Sequence, residues 1–85
     1  MYRASSSNFI SKTPEQIFIY NSPWIHENKT TAVEKIIVEG KYKTEISYDG
    51  VNFLTIPNLL IYYLEPSQKI KLIFKKLPIV KIGVL

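Results

Sequence analysis

Eighty-five residues make one domain, and a chain this short buries only about 60% of its unfolded surface, so its core is thin. At 46% hydrophobic and 13% aromatic it is too apolar for a disordered chain, and without cysteine it has neither a disulfide framework nor a thiolate metal site. The formal net charge of +4 raises nucleic acid or an anionic surface as partners. The lysines, however, are scattered over several strand patterns, and Arg3 is the single arginine, although Arg is the residue for bidentate phosphate and base contacts. They read as solvent-facing residues that keep strand edges soluble, and no nucleic-acid partner is expected.

Residues 1–13 are polar and without periodicity, with Ser5-Ser6-Ser7 at their centre, and read as an N-terminal arm. Tyr2, Phe9 and Ile10, with Arg3, are its candidate partner-binding residues. No apolar leader core is present, so no signal peptide is expected. No stretch approaches the length of a membrane span, and no membrane partner is expected either.

The domain proper is placed over 14–85. A first strand follows Pro14, with Ile17 and Ile19 on one face and Phe18 and Tyr20 on the other. Asn21-Ser22-Pro23 breaks it, and Trp24, the single tryptophan, reads as a plug under a loop rather than an exposed sugar platform. His26-Glu27-Asn28-Lys29-Thr30-Thr31 is a polar loop that contains the only histidine and an Asn28-Lys29-Thr30 sequon. Residues 32–39 have helical spacing, but the β-branched run Ile36-Ile37-Val38 argues for a strand with Ile36 and Val38 inward.

The clearest local signal is Asp49-Gly50 between two runs of aromatic and β-branched residues. It predicts a two-residue type I′ hairpin in which Tyr48 faces Val51, Ile46 faces Phe53 and Thr44 faces Thr55, all turned to the core. Residues 59–64 are apolar throughout and read as a buried strand. Glu65-Pro66-Ser67-Gln68 is a turn with Pro at its second position. Ile70, Leu72 and Phe74 then alternate with lysines, and Val80, Ile82 and Val84 alternate with Lys81 and Gly83. The final strand runs to the last residue without a charged tail and is expected to form an open edge that needs covering.

Chemistry needs titratable groups that converge. One Asp, one His, no Cys and six glutamates set beside lysines on different elements offer no such group, and three glycines form no phosphate loop. No catalytic residue, metal site or cofactor is expected. Tyr42, Tyr48 and Phe53 with Lys41 and Lys43 give a faint version of a single-strand-binding face.

The predicted fold is therefore all-β: a single antiparallel β-sandwich of about seven short strands, Ig-like or jelly-roll-like. A small five-stranded barrel is the runner-up. Over 36–74, three features stand in order: Val38-Glu39-Gly40 ending a strand, Glu45-Ile46-Ser47-Tyr48-Asp49-Gly50-Val51-Asn52-Phe53, and Leu64-Glu65-Pro66-Ser67-Gln68-Lys69-Ile70 entering another. This pattern resembles small immunoglobulin-like β-sandwich domains of bacteriophage virions. The resemblance implies a non-enzymatic virion subunit, a capsid decoration, auxiliary capsid or tail protein bound to a larger shell or tail protein or to copies of itself. The hairpin wording also looks like that of carbohydrate-binding sandwiches, which gives a sugar-binding module as the alternative. A small barrel binding single-stranded nucleic acid is the second.

Overall fold

The computed structural model describes residues 14–85, and the arm residues Tyr2, Arg3, Phe9 and Ile10 lie outside them. Eight strands and no helix are present among the described residues: β1 Glu15–Ile17, β2 Trp24–Glu27, β3 Glu34–Glu39, β4 Lys43–Ser47, β5 Leu54–Ile56, β6 Ile61–Leu64, β7 Lys69–Ile73 and β8 Ile79–Val84. They form two four-stranded antiparallel sheets, ordered β1-β8-β3-β6 and β2-β7-β4-β5. The protein is a β-sandwich.

The pairing has a simple origin. β1 pairs with β8, β2 with β7, β3 with β6 and β4 with β5, so the chain is one long hairpin folded at 48–53. Rolling that hairpin up adds β3–β8 and β4–β7 and splits it into two sheets. This is the jelly-roll arrangement of the two expected, not the Ig-like one. It also corrects the expectation of an open C-terminal edge. β8 is an interior strand, paired with β1 on one side and β3 on the other. The edges are β1, β2, β5 and β6, each only three or four residues long, which limits how much unpaired backbone they offer.

Alternation places the core. Ile36 and Val38 of β3, Ile46 of β4, Tyr62 and Leu64 of β6, Ile70 and Leu72 of β7 and Val80 of β8 meet between the sheets, with Ile19 beyond β1. Trp24, Tyr42 and Phe74 pack against them, so Trp24 is a plug and not a platform. Tyr62 and Leu64 are buried, but the rest of the apolar run 59–64 is not. Tyr63 is exposed on the outward face of β6, and Leu59 and Leu60 are exposed on the loop before that strand.

The β4–β5 connection departs most from expectation. Ile46 faces Leu54, Glu45 faces Thr55 and Thr44 faces Ile56, one residue out of the predicted register. Asp49 is the cause. Its Oδ1 accepts the N–H groups of Val51 and Asn52, both at 2.8 Å, and the Ser47 hydroxyl at 3.1 Å, while Oδ2 accepts the Asn52 amide at 2.9 Å. A side chain that takes two consecutive N–H groups builds its own turn, and the loop widens to residues 48–53. Gly50, at φ +83°, supplies the positive φ this loop needs. A slip of one residue exchanges the faces of a strand. Phe53 therefore lies outside, under the Lys71 ammonium at 4.2 Å, and Tyr48 and Val51 are exposed.

The same bonds hold the Asp49 carboxyl well below the usual carboxylate range, the Asn52 and Val51 N–H groups contributing most. Their stabilisation is complete above the unfolded carboxylate pKa near ~4 and is lost as the pH falls through the lower folded value. Asp49→Asn should therefore remove part of the acid-side loss of stability. Equal slopes of melting midpoint against pH below ~4 in both proteins would refute this.

Ser67 occupies the third position of a type II turn, with Gln68 N–H donating to Glu65 C=O at 3.1 Å and φ at 73°. A non-glycine residue in this region costs about 1–2 kcal/mol, against about 0.4–1 kcal/mol for the extra unfolded freedom of glycine. Ser67→Gly is expected to stabilise by about 0.5 kcal/mol or more. A lower chemical-denaturation midpoint would contradict it.

Candidate interaction site at the lysine end

The roll gives the sandwich two dissimilar ends. At one, the loops 18–23, 40–42, 57–60 and 74–78 all cross from one sheet to the other and lie side by side. Ser22 Oγ accepts the Phe74 N–H at 2.9 Å, and a side chain on Gly40 would meet Pro78 at 3.2 Å. Tyr42 Oη donates to Leu59 C=O at 2.6 Å, and the Asn58 amide donates to Tyr42 C=O. Four loops are thus tied in the order 18–23, 74–78, 40–42, 57–60.

Beneath them the sheets are pinned by a polar relay. Tyr62 Oη accepts the Leu59 N–H at 2.7 Å and lies 2.8 Å from Thr44 Oγ1, which donates to Asn58 Oδ1 at 3.2 Å. Thr44 is completely buried and Tyr62 nearly so, which gives these bonds low-dielectric surroundings. Burial, and then the neighbouring Tyr62 hydroxyl, push the Tyr42 phenol above its usual range, so it stays a neutral donor.

Against this support sits an open groove of about 800 Å³ with an apolar floor of Tyr42, Ile73 and Phe74 and the exposed Leu77 in its lining. Lys41, Lys43, Lys75 and Lys76 line it, and all four are exposed. Among the described residues none of them has a carboxylate partner; the lysine–carboxylate pair present is Glu45–Lys71, and Glu34 is hydrogen-bonded to His26. Glu39 is the one carboxylate at this end. Glu15, Glu27, Glu34, Asp49 and Glu65 lie toward the opposite end, and Glu45 sits mid-strand, 3.4 Å from Lys71.

The opposite end is built around Asn28. This sequon residue is not a surface acceptor but is fully buried. Its amide donates to Ala32 C=O at 2.8 Å and Leu64 C=O at 2.7 Å, and its Oδ1 accepts the N–H and hydroxyl of Thr30. Its backbone exchanges bonds with Ser67 N–H and Gln68 C=O. His26, expected in a polar loop, lies in β2 facing inward, with Nε2 2.8 Å from Glu34 Oε1 and its ring stacked on Trp24. It is occupied by a carboxylate from the facing sheet.

Of the residues read as a faint binding face, the structure brings Tyr42, Lys41 and Lys43 together and sends Tyr48 and Phe53 to the other end. It replaces them with Phe74, Lys75 and Lys76, whose adjacency in sequence was the visible signal of a local charge cluster. The fold and this end define an all-β jelly-roll domain with a basic, apolar-floored surface. Comparison with protein-family models, with curated proteins and with solved structures finds no match for this chain.

Proposed function

We propose that the chain is a non-enzymatic structural subunit of a large assembly, of the bacteriophage virion type, that binds a larger capsid or tail protein or copies of itself. The observation that supports this reading is apolar exposure on several sides of one small domain. Ile25 and Leu54 lie on one sheet, Tyr63, Ile79 and Val84 on the other, and Tyr48 and Val51 on the 48–53 loop, each more than a third exposed. Surface of this kind in a thin-cored domain gains stability when neighbours cover it. Trp24, which a sugar-binding module would present, is packed against the core instead.

The test is the mass of the native particle together with a cross-linking map of residues 1–13 and of Tyr63 and Ile79. An assembly well above the mass of one chain, with cross-links from these positions to neighbours, is expected. A stable monomer in its native source, whose arm exchanges amide hydrogens freely, overturns the reading.

A further inference from the structure

Beyond that reading, we infer that the lysine end docks on an anionic lipid surface. The four tied loops carry exposed apolar side chains as well as charge. Phe18 and Tyr20 are 75% and 77% exposed on one loop, Leu77 is 59% exposed on the next, and Leu59 and Leu60 are more than half exposed on the last. Lys41, Lys43, Lys75 and Lys76 stand among them, and Glu39 is the single carboxylate at this end. Apolar tips with basic residues between them match the boundary of headgroups and acyl chains, where the tips leave water and the ammonium groups meet lipid phosphate and carboxylate.

Two features favour lipid over the other polyanion. Leu59, Leu60 and Leu77 have no face on which a base can stack, whereas they gain from an apolar layer. The cluster is lysine alone, a set of point charges suited to a diffuse anionic surface rather than the bidentate fork that reads phosphates and bases. The rest of the domain agrees with a one-ended approach. The opposite end holds most of the carboxylates, which an anionic surface repels, so the molecule orients with its lysines inward. Pro14, where the arm joins, lies beside Gly83 at that opposite end, leaving the arm's attachment point away from the lipid.

The experiment is co-sedimentation of the full chain with vesicles of phosphatidylcholine containing about a third phosphatidylserine, and with pure phosphatidylcholine, at low and physiological salt. Binding to the anionic vesicles that weakens with salt is expected, with little to the neutral ones. Lys75→Ala/Lys76→Ala should lower the partition coefficient by roughly 30-fold, at about fivefold per lysine. Leu77→Ser should lower it by about tenfold. Lys29→Ala/Lys69→Ala, at the other end, should change it by less than about twofold. All these positions are at least partly exposed, and unchanged melting midpoints confirm folding. No binding to anionic vesicles, equal loss from both lysine pairs, or tighter binding to a 20-nucleotide oligo-dT than to the vesicles overturns the proposal. Particle mass and arm cross-links are read separately, so either inference can fail without the other.

Discussion

Asn28→Asp is expected to be the most damaging single polar substitution in the chain, at about 4 kcal/mol. The side chain is fully buried, and its amide gives two bonds to the carbonyls of Ala32 and Leu64. A carboxylate in the same space donates nothing and sets its charge against both carbonyl oxygens. Asn28→Ala removes the donors without adding the charge and should cost less, about 2–3 kcal/mol, chiefly through the unpaired carbonyl of Leu64. For a domain of this size 4 kcal/mol lowers the melting midpoint by roughly 15 °C or more. A calorimetric scan with a shift of only a few degrees for Asn28→Asp would mean that the amide does not hold this end together. The expected order, Asp worse than Ala, separates lost bonds from buried charge.

The second large effect concerns a hydrogen-bonded pair that spans the sheets, His26 and Glu34. Glu34 is buried on β3, and His26 of β2 reaches it at 2.8 Å from the facing sheet. His26→Leu leaves a carboxylate with little water and no partner, and should destabilise by about 2 kcal/mol, reduced somewhat by the residual exposure of both side chains. Glu34→Leu removes the charge instead and should cost about 1 kcal/mol, for the imidazole left without an acceptor. Replacing both by Leu restores an apolar contact across the sheets, and such replacements of buried pairs are often neutral. The double variant is therefore expected to be more stable than the His26→Leu single. Additive losses in urea unfolding would show that the pair holds the sheets by more than mutual satisfaction.

Much of the local structure was legible because alternation is a property of the chain itself. The period-2 patterns of β3, β7 and β8 placed Ile36, Val38, Ile70, Leu72 and Val80 inside, where they are. Pro66 marked its turn for the same local reason, and Asp49 marked a loop. The width of that loop was not legible, since Asp-Gly is equally a two-residue turn or the head of a wider one. What decided it was the Asp49 carboxylate taking two backbone N–H groups. Asn28 was hidden more completely. A polar residue in a polar loop reads as exposed, and only the approach of Leu64, 36 positions away, makes its amide a buried donor.

By itself the sequence determined the all-β class and the inward residues of β3, β7 and β8, because hydrophobic burial is non-directional and needs only the right side chains on one face of each strand. Tertiary structure alone decided which strands became neighbours. β8, which looks like an edge at the end of the chain, lies between β1 and β3, since the rolled hairpin offers its backbone partners on both sides. The same roll carries Lys75 and Lys76 against Lys41 and Lys43, more than thirty positions apart, and gathers five apolar loop residues beside them. Spacing along the chain has no bearing on such a meeting, because long-range backbone pairing sets it.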